Sequence, residues 1–255
     1  MNIRINQLKQ QLLSGQKSYG IWHGIPNSYI AELCAGAGFD WVCIDGEHGP
    51  FDFNQIIQNL QAIQLHPSSA VVRVPTSDPI VIKQVLELGA QNIVIPMIES
   101  ADQAELMVKS MLYPPAGIRG IGTGFARAAQ WGRVDNYLHL SNEQMCCICQ
   151  VETIKGVEVL DELLQVEGMD VIFIGPADLA ASMGYLGQPN HPEVIRVVVD
   201  CIKKIVQAGK AAGFLTSDQA SIDAFIEAGA TMIGVAADAT LFASASQKVL
   251  EKYKL

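Results

Sequence analysis

The 255-residue sequence has little positive charge and no long apolar run, and both absences narrow its function. It has 17 lysines and arginines against 26 aspartates and glutamates, a formal net charge of −9. This balance argues against a nucleic-acid surface, which needs clustered positive charge. No apolar stretch reaches the roughly 18 residues of a membrane span, and residues 1–16 lack a signal-peptide core. We therefore expect a soluble, cytoplasmic protein with no nucleic-acid or membrane partner.

Cysteine is present but lacks the spacing of a metal or redox motif. None of the six cysteines forms a C-x-x-C pair, and the chain is too long for a small disulfide scaffold. Cys147 and Cys149 lie in one apolar run, where a strand would point both to the same side. We interpret them as buried thiols, with a redox or metal role as the alternative.

What the chain does have is a repeated alternation of apolar runs and amphipathic stretches. Continuous apolar runs are typical of strands buried on both faces of a parallel sheet. The predicted strands are residues 19–22, 41–45, 70–74, 92–96, 146–150, 171–174, 211–214 and 232–235. The predicted helices are residues 27–37, 53–64, 79–88, 101–111, 192–208, 218–228 and 239–253. Eight such units predict a single-domain (β/α)8 TIM barrel over residues 1–255. A doubly wound open sheet is the alternative.

One connection, residues 113–144, is much longer than the others and is predicted to be an insertion loop. It contains Arg119, Arg127 and Arg133, a Pro-Pro pair and several glycines. A loop of this length in a compact domain is usually functional or part of an interface.

Polar side chains gather where predicted strands end. The residues concerned are Trp22 and His23 at the end of strand 1, Asp45, Glu47 and His48 at the end of strand 2, Arg73 near the end of strand 3, Glu152 after strand 5 and Asp178 after strand 6. In a parallel barrel all the carboxyl ends of the strands open on one face, where barrel active sites lie. We therefore expect these groups to share one site.

Arg73 and His48 are the candidates for catalysis. A charged guanidinium between Val72 and Val74 needs an anion, either a ligand carboxylate or enolate, or a structural ion pair with Glu47 or Glu152. Asp45, three residues before His48, is placed to orient the imidazole for proton transfer.

Glu152 and Asp178 are the candidates for holding a metal. Two carboxylates on adjacent strands suit a hard divalent cation such as Mg²⁺ or Mn²⁺ and leave positions open for substrate. The alternatives are that Glu152 caps the following helix and that Asp178 caps a helix over residues 178–183. The "IGPAD" segment also offers backbone N–H groups that suit a carboxylate. His23 is predicted to line the pocket wall.

Two further absences limit the chemistry. No predicted strand contains a lysine, and Lys210 at the edge of strand 7 is the nearest, so a Schiff-base aldolase is disfavoured. The glycine cluster at 120–124 does not match a dinucleotide-binding fingerprint. Carbonyl chemistry in this barrel would therefore use a metal as the Lewis acid.

Several segments, taken in order, resemble the HpcH/HpaI family of class II, metal-dependent pyruvate aldolases. They are "AGAGFDWVCIDGEHGP", "VVRVP", "YPPAGIRGIG", "ICQVET" and "VIFIGPADLAASMGY", and the likeness covers about residues 5–250. The resemblance implies a homo-hexameric TIM barrel whose last helix is exchanged between subunits. It also implies reversible cleavage of 4-hydroxy-2-oxoheptanedioate, in aromatic (homoprotocatechuate) catabolism, to pyruvate and succinic semialdehyde.

The resemblance also implies roles for individual residues. Glu152 and Asp178 would hold Mg²⁺, Mn²⁺ or Co²⁺, Arg73 would stabilise the enolate oxygen, and His48 with Asp45 would serve the proton transfers. The remaining implied contacts are substrate-binding groups at Gln150, Gly175, Pro176, Ala177 and Asp178, a metal-bound water held by Glu47, and pocket edges at Trp22, His23 and Leu215.

Three other functions remain open at this point. A sister aldolase would act on a 2-keto-3-deoxy sugar acid such as 2-keto-3-deoxy-L-rhamnonate or 2-dehydro-3-deoxyglucarate. An acyl-CoA lyase would need a basic surface, which Arg119, Arg127 and Arg133 could supply. A non-catalytic barrel would bind a 2-keto acid without turning it over.

Overall fold

In a computed structural model of the protein, which describes residues 1–254, eight parallel strands close into a barrel in sequence order. Each strand pairs with its sequence neighbours, and β8 pairs with β1 to complete the ring. The strands are β1 Ser18–His23, β2 Trp41–Asp45, β3 Ser69–Arg73, β4 Asn92–Ile95, β5 Cys146–Val151, β6 Met169–Ile174, β7 Ala211–Leu215 and β8 Met232–Ala237. The predicted TIM barrel and its eight strands are confirmed, and the open-sheet alternative is wrong.

Helices surround the barrel and connect successive strands. They are α1 Gln7–Leu13, α2 Ser28–Gly36, α3 Phe53–Ile63, α4 Pro79–Glu87, α5 Ala101–Met111, α6 Tyr137–Gln144, α7 Ile154–Glu158, α8 Leu160–Leu163, α9 Pro176–Ser182, α10 Pro192–Gln207, α11 Gln219–Glu227 and α12 Asp238–Glu251. Among the helices of residues 1–254, none has both the length and the apolar character needed to cross a membrane.

Local sequence signals explain where the outer helices begin. Asn27, Asp52, Asp78 and Asp218 each precede a helix, and each side chain accepts a hydrogen bond from a first-turn backbone N–H group. Such caps satisfy donors that a helix leaves free at its start. These predicted helix starts are therefore confirmed.

The barrel interior is filled by large side chains and closed at its N-terminal end by α1. Leu8 and Leu12 of α1 join the interior cluster that contains Trp41 and Phe173, all of them buried. Gly20 makes room for the indole, because a Cβ there would lie 2.0 Å from the Trp41 ring. Asp45, Arg73 and Glu152 lie at the opposite, C-terminal ends of the strands.

Two segments depart from the simple repeat. Residues 113–136 form turns, but 137–144 of the expected loop are the helix α6, so the irregular part is shorter than predicted. The last helix, α12, buries only Asp238 in the single chain, and residues 239–254 are exposed.

Candidate active site

Arg73 is held at the C-terminal end of the barrel by two carboxylates from the neighbouring strand and loop. Its Nε and Nη2 atoms donate to the two oxygens of Asp45 at 2.8 and 2.7 Å, and Nη1 lies 2.8 Å from Glu47 Oε2. The strand register makes this possible, since Asp45 and Arg73 are direct partners in β2 and β3. The ion pairs with Asp45 and Glu47 raise the pKa of Arg73 against the effect of burial. The guanidinium is therefore a fixed positive charge, oriented by Asp45.

Glu152 is a buried carboxylate whose ionisation is disfavoured in the isolated chain. Its Oε1 accepts from the Met97 N–H at 2.9 Å, and its Oε2 accepts from Gln150 Nε2. Gly175 permits this position, because a Cβ there would come within 2.6 Å of Oε2. Burial, followed by the nearby charges of Asp178 and Glu47, raises the pKa of Glu152 to about 7. The alternative that Glu152 caps a helix is wrong, since Thr153 caps α7.

Asp178 lies in the first turn of α9 and is exposed toward solvent. The N-cap of α9 is Gly175, so the alternative in which Asp178 caps a helix is also wrong. The first helical bond runs from the Leu179 N–H to the Gly175 carbonyl at 3.0 Å. The preceding N–H groups, of Ala177 and Asp178, have no helical acceptor, as at any helix start. These are the N–H groups that were expected to bind a carboxylate.

The charges at this end of the barrel do not balance. Four carboxylates, Asp45, Glu47, Glu152 and Asp178, share the single guanidinium of Arg73, and each of the two glutamates feels the charges of Asp178 and Arg73. Fully ionised, the group carries four negative charges and one positive charge. Oxygen donors with excess negative charge suit a hard divalent cation.

His48 lies beside this group, but not in the contact that was expected. Its backbone N–H donates to Asp45 Oδ1 at 3.2 Å, whereas its exposed ring makes no hydrogen bond to the described residues. The predicted orientation of the His48 ring by Asp45 is therefore wrong. The physical reason is that both Asp45 oxygens are occupied by Arg73, which a carboxylate prefers as a bidentate partner.

The prediction that His23 lines the pocket wall is wrong. Its side chain has 0% exposure and points outward between the barrel and the helices. Nδ1 lies 2.7 Å from Asp238 Oδ2, and Nε2 lies 2.8 Å from Asn59 Oδ1. Asn59 donates through its own amide nitrogen to Gln55, so its oxygen faces the ring as an acceptor. His23 thus ties β1 to α3 and α12.

The same surroundings also account for the close grouping of His23, Cys34 and Asp238, whose donor atoms lie within 4.8 Å of one another. Both ring nitrogens of His23 are already bonded, and Asp238 also accepts from backbone N–H groups of residues 24, 25 and 239. Burial also raises the pKa of the Cys34 thiol to about 11. The group is a hydrogen-bonded joint with no free ligand set.

Other predicted pocket residues lie inside the barrel mouth. Trp22 and Gln150 are buried, and Leu215 packs against the interior cluster from the end of β7. The Arg73 guanidinium lies 5.2 Å from the centre of the Trp22 ring. Trp22 Nε1 and Gln150 Oε1 are buried and have no hydrogen-bond partner among the described residues. Buried polar atoms normally have partners, so these two are available to a ligand.

Sequence reasoning missed Met97 and Asn59. Met97, with the positive φ of 55° that few non-glycine residues adopt, turns its N–H toward Glu152. Nothing in "VIPMIES" indicates this, because the signal is a backbone angle. Asn59 has the spacing of an outer-helix position, and its role depends on a partner in another element.

The structure also bears on the predictions made for the lysines, the loop arginines and the cysteines. None of the eight strands contains a lysine, and Lys210 donates to the Val166 and Met169 carbonyls at the N-terminal end of the barrel. Arg119 is buried with Glu87, so the loop arginines do not form one exposed surface for CoA phosphates. Cys147 and Cys149 are buried free thiols, as interpreted, and the other four cysteines are buried and free as well.

Comparisons with known proteins agree with this geometry. A family model described as HpcH/HpaI aldolase/citrate lyase matches residues 18–245. A 4-hydroxy-2-oxo-heptane-1,7-dioate aldolase of Salmonella paratyphi A is 46% identical over 97% of this chain and 94% of its own length. A hydroxypyruvate/pyruvate aldolase of Pseudomonas aeruginosa is 43% identical over 100% of this chain and 95% of its own.

A crystal structure of an HpcH/HpaI aldolase/citrate lyase family protein from Burkholderia cenocepacia superimposes with a TM-score of 0.93 at 37% identity, covering 98% of this chain and 100% of that one. The matched segments contain the carboxylates, the arginine and the glycine that build the site described above. The chain therefore belongs to the HpcH/HpaI aldolase/citrate lyase family and is an enzyme of the aldolase class.

Proposed function

We propose that the protein is a metal-dependent pyruvate aldolase that cleaves 4-hydroxy-2-oxoheptanedioate to pyruvate and succinic semialdehyde. The observation that carries this proposal is the group of four carboxylates around Arg73 at the open end of the barrel. One fixed cation stands beside an excess of oxygen donors, and the strands contain no lysine that could form a Schiff base. The relative named for this dioate substrate supports the choice of substrate.

Glu152 and Asp178 would hold the divalent cation, which is Mg²⁺, Mn²⁺ or Co²⁺. The residues fit such an ion, because Glu152 and Asp178 are oxygen donors in a group of four carboxylates that contains one guanidinium, that of Arg73. Two protein ligands leave positions open for substrate oxygens and water. When bound, the ion supplies Lewis-acid polarisation of the substrate keto group. Glu47, which pairs with Arg73, would hold a metal-bound water.

The chain's own residues bind and orient the pyruvate unit. The N–H groups of Ala177 and Asp178 at the start of α9 would donate hydrogen bonds to its carboxylate. Two of the five guanidinium N–H groups of Arg73 donate to Asp45, and Nη1 lies 2.8 Å from Glu47 Oε2, so that N–H groups remain for the keto oxygen. Asp45 and Glu47 thus fix the arginine before substrate arrives. A donor that is already oriented stabilises developing negative charge without reorganisation.

His48 is the proton-transfer group of this proposal. In cleavage, the base removes the proton of the C4 hydroxyl group, the C3–C4 bond breaks, and the aldehyde carbonyl forms. The bonding pair becomes the pyruvate enolate, whose oxygen faces Arg73, and protonation of C3 yields pyruvate. The exposed imidazole can exchange its proton directly with water between turnovers.

We further propose that the active form is a cytoplasmic homo-hexamer in which α12 is exchanged between subunits. Leu241, Phe242, Val249 and Leu250 of α12 are all exposed in the single chain. A helix that leaves such side chains uncovered indicates a partner surface. Six free cysteines suit a reducing compartment.

A second candidate differs in the reacting partners. The relative named hydroxypyruvate/pyruvate aldolase matches the whole chain, so hydroxypyruvate is an alternative nucleophile. Sugar-acid aldolase activity is the alternative on the aldehyde side. Leu215 and Trp22, at the barrel mouth, are the residues that would contact the variable part of the substrate.

The test is a cleavage assay with purified enzyme, Mg²⁺ or Mn²⁺, and each candidate substrate in turn. We expect kcat/KM for 4-hydroxy-2-oxoheptanedioate to exceed that for 2-keto-3-deoxy sugar acids by at least about 10-fold, since an apolar mouth discriminates by about 1–3 kcal/mol. Aldol addition of pyruvate or hydroxypyruvate to succinic semialdehyde then identifies the nucleophile. A preference for a sugar acid would contradict the substrate assignment, and no turnover of any substrate would contradict the aldolase proposal.

A further inference from the structure

A cavity lies at the N-terminal end of the barrel, opposite the site described above, where α4 leads into β4. Its volume is about 270 Å³, and its lining residues include Arg4, Gln64, Gly89, Gln91, Arg127 and Trp131. The site described above uses the ends of β2, β3, β5 and β6, so the two are separate. None of the residues that line this cavity is an aspartate or a glutamate. In a chain with 26 acids and 17 bases, two arginines without an acid in one cavity are a clear local reversal of charge.

Arg127 is built into the wall of this cavity. Its Nη1 donates to the Leu88 carbonyl at 2.8 Å, and its Nη2 donates to Gln64 Oε1. The guanidinium rests on Gly89, where a Cβ would come within 2.7 Å of Nη1. Gly89 has a φ of +102°, so the turn and the close approach both require glycine. The remaining N–H groups of Arg127 have no acceptor among residues 1–254.

Arg4 supplies the second charge from the N-terminal segment. Its carbonyl accepts from Gln91 Nε2 at 2.8 Å, which holds the backbone against the start of β4. The guanidinium itself has neither a hydrogen bond nor a carboxylate within 4.0 Å in the described chain, and the same absence of a carboxylate holds for Arg127. Burial lowers the pKa of both arginines, and the charge of Arg4 lowers that of Arg127 further. Two like charges therefore face one space without a protein anion between them.

We propose that this cavity binds the phosphate group of a small metabolite, between Arg4 and Arg127. A phosphate dianion presents three acceptor oxygens in a tetrahedral arrangement, so that two guanidinium groups can each take an edge. A carboxylate presents a single edge. Gln64 and Gln91 add neutral amides beside the arginines, and Trp131, at the rim, offers an aromatic face to the rest of the metabolite.

Occupation of this cavity would join separate parts of the chain. Arg4 belongs to the N-terminal segment, Arg127 to the irregular part of residues 113–136, and Gln64 to the end of α3. A ligand that binds the folded state alone raises its melting temperature in proportion to the logarithm of its concentration. At ten times the dissociation constant, we expect a rise in Tm of about 3–5 °C.

The probe is inorganic phosphate, added to the chelator-treated full-length enzyme in its native assembly. Binding is followed by the fluorescence of Trp131, which is exposed, whereas Trp22 and Trp41 are buried. Trp131→Phe must abolish the signal change. We expect Arg127→Gln to weaken phosphate binding at least 10-fold and Arg4→Gln at least 5-fold. Arg196→Gln, in an exposed arginine paired with Glu193 and Asp200 on α10, is the matched control and should change it less than twofold.

Arg4→Gln decides the proposal if Arg127→Gln fails to fold, because the Arg4 guanidinium makes no hydrogen bond within the described protein. Unchanged phosphate affinity in Arg4→Gln would overturn the proposal, as would the absence of saturable phosphate binding to the wild type. Succinate serves as the dicarboxylate probe. Tighter binding of succinate than of phosphate would overturn the assignment of a phosphate group.

Discussion

The two ends of the barrel contain the same kinds of charged side chain but differ in how these side chains are paired. At the N-terminal end, Lys9 lies 3.1 Å from Asp170, and Lys210 donates to two backbone carbonyls. At the C-terminal end, four carboxylates share one arginine. The α1 plug covers the first end, whereas the second end opens to solvent. The two ends therefore differ in the sign of the charge that is left unpaired: carboxylates are in excess at the C-terminal end, whereas Arg4 and Arg127 lack a carboxylate partner within residues 1–254 at the N-terminal end.

The largest expected effect is that of Arg73→Ala, which removes the one guanidinium among the four carboxylates at the C-terminal end of the barrel. We expect the rate of pyruvate methyl-proton exchange to fall by about 10³-fold, the loss associated with a preorganised oxyanion donor. The protein should also lose stability, because Asp45 becomes a buried carboxylate without its guanidinium partner. Exchange is measured by NMR in D₂O. Arg73→Lys is the control that keeps the charge, and near-normal exchange in Arg73→Ala would contradict the role of Arg73.

Two histidines near this end allow a comparison between a ring without hydrogen bonds to the described residues, that of His48, and a ring with both nitrogens hydrogen-bonded, that of His23. His48→Ala should lower kcat for aldol cleavage by about 10²-fold, the lower part of the range for a lost acid–base group, because water can reach its position. Its free energy of unfolding should change by less than about 0.5 kcal/mol, since the ring is exposed.

The matched variant, His23→Ala, should show the reverse pattern. It leaves Asp238 and Asn59 without their ring partner and should reduce the free energy of unfolding by about 2–4 kcal/mol. Its kcat, measured well below its melting temperature, should stay within about threefold of wild type. A larger kcat loss for His23→Ala than for His48→Ala would reverse the assignment.

The raised pKa of Glu152 predicts how the stability of the metal-free protein depends on pH. The folded protein keeps a proton to about pH 7 that the unfolded chain, with an ordinary pKa of 4.5, releases earlier. The folded state therefore binds more protons between these values, and its stability falls as pH rises from 4.5 to 7. The drop is about 3 kcal/mol, since the pKa of Glu152 rises by about 2.5 and each pKa unit corresponds to about 1.36 kcal/mol.

Chemical denaturation across this pH range, without and with saturating Mn²⁺, measures the effect. Mn²⁺ should reverse the drop, and Glu152→Gln should reduce it, leaving a smaller slope from Glu47, whose pKa burial also raises. Glu152→Gln should also weaken Mn²⁺ binding by about 10- to 100-fold, as the loss of one of two ligands requires. The assignment of Glu152 as a ligand fails if the Mn²⁺ titration of this variant matches that of wild type.

The smallest expected effect is that of Lys210→Met at the N-terminal end. The rate of pyruvate proton exchange should stay within about twofold of wild type, because Lys210 lies away from the site and serves two carbonyls. Loss of these hydrogen bonds should cost about 1 kcal/mol of stability. Borohydride should trap no covalent adduct with pyruvate in either protein. Exchange that depends on Lys210 would indicate Schiff-base chemistry.

The sequence predicted the barrel well, because apolar runs and helix caps are local signals. Asn27, Asp52, Asp78 and Asp218 cap helices that begin within one residue of the predicted starts, and Glu152, Asp178, Arg73 and His48 lie at the ends of strands that open on one face. The sequence was less informative about which residues of the site contact each other. Asp45 binds Arg73 instead of the His48 ring because of the strand register, and Met97 reaches Glu152 through an unusual φ.

The prediction that the His23 side chain faces the pocket was wrong for a related reason. Side chains alternate across a strand, so that one of Trp22 and His23 faces the barrel interior and the other faces the helices. The sequence alone did not show which, since both residues suit a pocket. The hydrogen-bond partners of His23, Asn59 and Asp238, are 36 and 215 residues away in the chain.

The central claim is that the crowded carboxylates and Arg73 form a metal-dependent site for the pyruvate enolate. The most direct test is the exchange of pyruvate methyl protons with D₂O, followed by NMR in the presence of Mg²⁺ or Mn²⁺ and again after a chelator is added. We predict exchange that requires the metal and returns when the metal is restored. Exchange that continues unchanged in the chelator, or that is absent under both conditions, would contradict the claim.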